Sequence, residues 1–216
     1  MSVPIVPAII PNSAAAVRTY CEQLGFSLEL HLDVVDGKFV PHMSWPYQES
    51  GDPVEVKQAT DRFTLEVDLM VEKPLVAAQR WLEAGADMLV FHVETVALDC
   101  FKEFKSATHA TMGISALNDT PQETLDAYAA IADYVQVMGI AQIGAQGAAF
   151  DDRALTRIDH LVRHFPRLLI SVDGSVNEAT IPALVAAGAK RLIVGSAIVK
   201  AADPAAAHFA LSQKVA

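Results

Sequence analysis

The sequence predicts an α/β protein, a single closed (β/α)8 barrel over residues 1–216. Three observations lead there. Short apolar runs alternate strictly with segments of helical character, and strict alternation implies a parallel sheet covered by helices. The alternation repeats eight times, which is what a closed barrel needs, and 216 residues lies near the lower size limit of that fold. An internal echo joins helix to strand twice, as Leu82-Glu83-Ala84-Gly85-Ala86-Asp87 and Val185-Ala186-Ala187-Gly188-Ala189-Lys190. An open doubly wound sheet usually has fewer strands and a glycine-rich first turn, which residues 7–12 do not supply.

Each element has a local cause. Residues 3–10, an apolar run punctuated by Pro4 and Pro7, read as the first strand. Asn12-Ser13 caps an alanine-rich helix that stops at Gly25. In the second strand, 27–34, Leu28, Leu30, Leu32 and Val34 share one side, while Glu29, His31 and Asp33 share the other. Asp36-Gly37 closes that strand as a turn. The connection 36–53 holds Pro41, Trp45, Pro46, Gly51 and Pro53, and a loop this long at a strand exit is either functional or a packed flap. A modest helix over 54–61 leads to a third strand, 63–70, whose Thr64, Glu66, Asp68 and Met70 share a face.

Pro74 opens a helix over 75–84 that Gly85 ends. Strand 87–93, helix 98–107, strand 111–117, helix 121–130 and strand 134–138 come next. A glycine-bearing loop, 139–147, precedes a helix over 151–165. Strand 168–172 ends in Asp173-Gly174, and a helix covers 180–187. The last strand, 191–194, runs into Gly195-Ser196-Ala197 and a closing helix from Asp203-Pro204.

Composition narrows the function. The formal charge of −10, without a basic run, argues against general nucleic-acid binding. Cys21 and Cys100 are too few for a disulfide frame or a thiolate metal site. No apolar run is long enough for a membrane span, and Met1 is followed by Ser2-Val3-Pro4 rather than a basic leader, so a cytoplasmic protein without a membrane partner is expected.

In a parallel barrel all strand exits open on one face, so residues remote in sequence converge there. The polar residues at these exits are His31, Asp33, Asp68, His92, Glu94, Asn118 and Asp173. His31, Asp33, Asp68 and Asp173 set three carboxylates beside an imidazole with no lysine or arginine among them. Such carboxylates repel one another in a low-dielectric pocket, and a divalent cation is the simplest compensation. Gly174-Ser175 and Gly195-Ser196 follow the seventh and eighth strands, where barrel enzymes commonly hold a phosphate on backbone N–H groups. His160 and His164 have the spacing of a helical metal pair, but no glutamate follows His160, so they read as a solvated face, and His109 and His208 as surface residues. Ser115 and Ser171 lie on strands, not on nucleophile elbows.

Segments 31–41, 68–74, 84–94, 116–121, 172–176 and 187–198 resemble the ribulose-phosphate 3-epimerase family, nearly end to end and in the right order. The most specific of them is His31-Leu32-Asp33-Val34-Val35-Asp36-Gly37-Lys38-Phe39-Val40-Pro41. The resemblance implies the ribulose-phosphate-binding type of barrel and a metal-dependent 3-epimerase. Its substrates would be D-ribulose 5-phosphate and D-xylulose 5-phosphate, or a related ketose phosphate, interconverted through an enediolate. It implies Asp33 and Asp173 as acid and base, and His31, Asp33, Asp68 and Asp173 as ligands of one divalent ion. Met70 and Met138 would line the pocket, and Gly174, Ser175, Gly195 and Ser196 would form the phosphate-binding turns. A homo-oligomer is the expected assembly.

The chain departs from the family pattern at several points. Asp68 stands where the family's third-strand ligand is histidine, which hardens the site and favours manganese, iron or magnesium over zinc. Pro7-Ala8-Ile9 replaces Pro-Ser-Ile, Val35 replaces a pocket methionine, and Ser175 replaces the second glycine of an Asp-Gly-Gly turn. The Pro-Gly-Phe-Gly-Gly-Gln loop after the sixth strand becomes Ala141-Gln142-Ile143-Gly144-Ala145-Gln146-Gly147. Two other readings compete. A lyase or aldolase-type phosphate-binding barrel usually carries a lysine beside its strand-end aspartates, whereas Leu69 and Met70 follow Asp68. For a catalytically silent barrel kept as a binding module, the altered loop and Asp68 argue in favour, and the retention of both Asp33 and Asp173 argues against.

Overall fold

A computed structural model describes residues 3–215; Met1, Ser2 and Ala216, at the ends of the expected 1–216 domain, lie outside the described residues. Eight parallel strands close in chain order into a barrel, with β1 bonded to both β2 and β8. They are β1 (Ile5–Ile9), β2 (Glu29–Val35), β3 (Thr64–Met70), β4 (Met88–His92), β5 (Thr111–Ala116), β6 (Tyr134–Met138), β7 (Leu169–Asp173) and β8 (Arg191–Val194). The helices are α1 (Ala14–Gln23), α2 (Lys57–Thr60), α3 (Pro74–Glu83), α4 (Leu98–Ser106), α5 (Gln122–Ala129), α6 (Arg153–His164), α7 (Ile181–Ala187), α8 (Ser196–Val199) and α9 (Pro204–Ser212). Closure rules out the open doubly wound sheet.

The period-two pattern of each strand divides its side chains between two different environments. Leu30, Leu32 and Val34 of β2, Leu65, Val67 and Leu69 of β3, and Leu89 and Phe91 of β4 are buried in the main apolar core between the strands and the helices. The opposite faces look into the barrel, where Glu66, Tyr134 and Arg191 from the non-adjacent strands β3, β6 and β8 meet. A barrel interior is usually filled by branched apolar residues. Here its middle is polar, and the apolar interior cluster of Val6, Ala8 and Ile193 is confined to β1 and β8.

Several expectations need correction. Leu28 lies outside β2 and is 83% exposed, so the outward apolar row begins at Leu30. The 36–53 connection is a packed strap. Asp36 pairs with Met43 in an antiparallel bridge, Trp45 N–H donates to Pro11 O (2.8 Å), and the buried Trp45 ring meets Trp81 edge-on at 5.8 Å. The helix expected over 54–61 is split into a 3-10 turn, Pro53–Val56, and α2, and residues expected as a bare turn form the short α8. His160 is not freely solvated: it is half-buried with Nε2 2.8 Å from Asp126 Oδ2 and stacks on His164. His208 is half-buried against Ile5 O, while His109 is exposed. Among the described residues no helix is long and apolar enough to cross a membrane.

Candidate active site

His31 and Asp33 follow each other on the inner face of β2, and Asp68 is the register partner of Asp33 on β3. Asp173 closes β7, with β8 and β1 between it and β2. The barrel brings the four together: one ligand atom from each lies within 4.8 Å of all the others. His31, Asp33 and Asp68 are buried and Asp173 is half-buried. The Nε2 atom of His31 lies 3.1 Å from Asp33 Oδ1. Asp68 is fixed from two sides, by His92 Nε2 at 3.1 Å from Oδ1 and by Gln136, which donates from Nε2 to Oδ2 (2.7 Å).

The electrostatics follow from this crowding. Burial pushes the Asp33 carboxyl up, and the neighbouring Asp68 and Glu66 charges add to it against the pull of His31. Asp173 is driven well above the usual carboxylate range, by burial first and then by the charge of Asp33. Burial would lower the His31 imidazole, but Glu66 and Asp33 together carry it well above its ordinary value. These acids need positive charge to ionise together, and neither arginine nor lysine lines the cavity they face. A hard divalent ion fits this donor set of three carboxylates and one imidazole.

Directly beneath lies a second polar layer that the sequence reading missed. Glu66 is fully buried and accepts from the Tyr134 hydroxyl (2.5 Å) and from Arg191 Nη1 (2.6 Å), while His31 Nδ1 lies 2.6 Å from its Oε2. Arg191 also clasps Glu29 Oε2 through Nε (3.0 Å) and Nη2 (2.8 Å). Burial alone would raise the Glu66 carboxyl, yet His31 and Arg191 hold it down at about 2. The signal was present: Glu29 and Glu66 stand two residues before His31 and Asp68 on the same strand faces.

Above the acids opens a cavity of about 300 Å³, bounded by Asp33, Asp173, Met70, Met138, Ser175 and Ser196. Gly174 (φ +97°) and Ser175 (φ +53°) are successive residues of positive φ in the cavity lining. Gly195 also lines the cavity. Gly139 N–H donates to Asp173 O (2.6 Å), and a Cβ on Gly139 would stand 2.1 Å from Gly174 O, so only glycine fits there. The rebuilt 139–150 loop folds over the cavity, where Gln146 donates to Ala8 O (3.3 Å) and Gly144 packs on Val40. Val35 joins Val40, Met70, Met138, Ile140 and Ile143 in an apolar wall.

Not every strand-exit residue enters this space. Glu94 turns away to accept from Leu117 N–H (2.9 Å) and from the Thr120 hydroxyl. Asn118 donates to Ile140 O (3.2 Å) and Asp151 Oδ2 (3.0 Å), tying the fifth and sixth loops. His92 acts on the site only through Asp68. Ser115 and Ser171 are buried on β5 and β7, without hydrogen-bond partners for their hydroxyls.

Residues 5–199 match the model of the ribulose-phosphate 3 epimerase family. The chain belongs to that family. Ribulose-phosphate 3-epimerases are among its relatives: that of Schizosaccharomyces pombe is 30% identical over 81% of this chain and 76% of its own. That of Eremothecium gossypii is 30% identical over 92% and 87%. As a member of the ribulose-phosphate 3-epimerase family, the protein is an isomerase, a carbohydrate epimerase. Solved structures agree on the fold. A 3-hexulose-6-phosphate synthase superposes with a TM-score of 0.73 at 21% identity, each chain fully covered. The 3-keto-L-gulonate-6-phosphate decarboxylase of Vibrio cholerae also gives 0.73, at 14% identity and full coverage.

Proposed function

We propose that the protein is a divalent-metal-dependent 3-epimerase of a ketose phosphate, with D-ribulose 5-phosphate and D-xylulose 5-phosphate as the pair to try first. The observation that carries this reading is the meeting of His31, Asp33, Asp68 and Asp173 within 4.8 Å, with Asp33 and Asp173 lining the cavity. A bound ion would be held by those four side chains, and it would supply positive charge to stabilise the oxygen charge that develops when the proton α to the ketone leaves. Asp68, in place of histidine, makes manganese, iron or magnesium the preferred ion.

Epimerisation needs one group to take the C3 proton and another to return one from the opposite face. Asp33 and Asp173 reach the cavity from β2 and β7, with two strands between them. Burial raises both carboxyls, and neighbouring carboxylates add to it, which favours one carrying a proton while the other is free to accept one. Met70 and Met138 give the substrate plane an apolar wall that keeps water from the reacting carbon. With no lysine or arginine in the lining, the phosphate would rest on N–H groups and hydroxyls at Gly174-Ser175 and Gly195-Ser196.

The test combines metal analysis of the purified protein with proton–deuterium exchange at C3 of D-ribulose 5-phosphate. Exchange that depends on a bound divalent ion is the expected result. Exchange undiminished in thoroughly chelated protein would overturn the mechanism. A lyase of the phosphate-binding-barrel type finds no support in the cavity, whose lining lacks a lysine.

A further inference from the structure

We propose that Glu66 is a positioning residue of this centre: it grips Nδ1 of His31 and so aims Nε2 of the same ring at the ion. The inference rests on the metal reading above. Of the two ring nitrogens, Nε2 faces the acid cluster, 3.1 Å from Asp33, and Nδ1 faces away from it, 2.6 Å from Glu66. A carboxylate on Nδ1 keeps a proton there, so Nε2, the nitrogen facing Asp33, is the one whose proton an ion would displace to reach a lone pair. Both His31 and Glu66 are fully buried, so bulk water cannot substitute for this contact.

Glu66 is itself held more firmly than a simple ion-pair partner needs. Tyr134 of β6 fastens Oε1 and Arg191 of β8 fastens Oε2, and Arg191 is in turn clasped through two nitrogens by Glu29 of β2. Arg191 therefore has a carboxylate partner without Glu66. What remains for Glu66 is the bond to His31, whose ring orientation is thereby set from β3, β6 and β8 together as well as from its own strand.

The experiment compares wild type with Glu66→Gln, which keeps shape and loses charge. Mn2+ affinity of chelated protein is measured by calorimetry, thermal midpoints are recorded without metal, and the His31 imidazole is followed by 15N NMR with Zn2+ as a diamagnetic probe. The expected result is Mn2+ binding weakened about tenfold to a hundredfold, with loss of the protected Nδ1–H signal seen in loaded wild type. Tyr134→Phe, which removes a bond to Glu66 but none to His31, is expected to lower the thermal midpoint with less than a threefold change in affinity. Equal affinity losses in the two variants would mean the effect is general loosening and would overturn the proposal. If Glu66→Gln does not fold, Glu66→Asp decides: it keeps the charge but draws the carboxyl back from His31 and from Arg191, which Glu29 still clasps, and wild-type affinity there would overturn the proposal. Wild type that takes up no Mn2+ brings down the metal reading as well, whereas a wild type that binds and a Glu66→Gln that binds equally sinks this inference alone.

Discussion

Two layers of polar residues fill the same barrel a few residues apart, and they are finished in opposite ways. In the deeper one, Glu29 and Glu66 share Arg191, and Glu66 also accepts from the Tyr134 hydroxyl, so each charge is answered within the chain. In the upper one, Asp33, Asp68 and Asp173 face one another beside a single imidazole. Glu66 and Asp33 are both buried, yet the Glu66 carboxyl is held down at about 2 and that of Asp33 is pushed up, as is that of the half-buried Asp173. Depth alone therefore does not determine whether a buried acid is structural. The supply of positive charge from neighbouring strands does, and the cavity above the upper layer is lined by neither lysine nor arginine.

This contrast can be broken at either layer. The largest effect is expected at Asp173→Asn, which should lower kcat by about 10²–10⁴-fold while the thermal midpoint of the metal-free protein holds or rises; near-normal turnover in an epimerase assay would refute the acid/base assignment. Next comes Arg191→Met, which strands the buried Glu66 carboxylate along with the half-buried Glu29 and should cost about 3–5 kcal/mol in urea unfolding. A loss under about 1 kcal/mol would show that the deeper layer is not the structural one. Asp68→His should swing the Zn2+/Mn2+ preference by on the order of tenfold toward zinc, about 1.4 kcal/mol, read as metal content after equimolar competition. Unchanged content would remove Asp68 from the ligand set.

The layers should also answer pH with opposite signs. Glu66 titrates lower when folded, so its contribution is present above its unfolded value of about 4.5 and fades as pH falls toward 2. Asp33 and Asp173 titrate higher when folded, so their contribution is present below the ordinary carboxylate range and fades as pH rises through their elevated values. Thermal melts of chelated protein across pH should lose the acid limb in Glu66→Gln and the alkaline limb in Asp173→Asn. The smallest effect is reserved for a control outside both layers. Arg153→Ala removes an exposed cluster with Asp119 and Asp151 and should change unfolding free energy by less than about 1 kcal/mol.

The alternation of elements and the row His31, Asp33, Asp68, Asp173 were legible because strand period and parallel closure are both written in local pattern. Whether a polar strand face meets water or the barrel axis is not local, which is why Glu29 and Glu66, placed on the same faces as His31 and Asp68, were given no part in the site. Arg191 was hidden differently. It opens the shortest strand, and only the closed sheet brings it to Glu66, 125 positions away. The 36–53 strap was ambiguous for a related reason: Trp45 signals burial, but its partners Pro11 and Trp81 lie on other elements. The Ser196–Val199 helix escaped because one turn of helix leaves almost no periodicity to read.

Gly139 sits at the root of the remodelled loop, clamped to β7 so tightly that no side chain could be accommodated. Everything beyond that point can drift in sequence while the carboxyl of Asp173 keeps its place. A lineage could therefore retune what the mouth admits by rewriting residues 140–150, without disturbing the buried acids below.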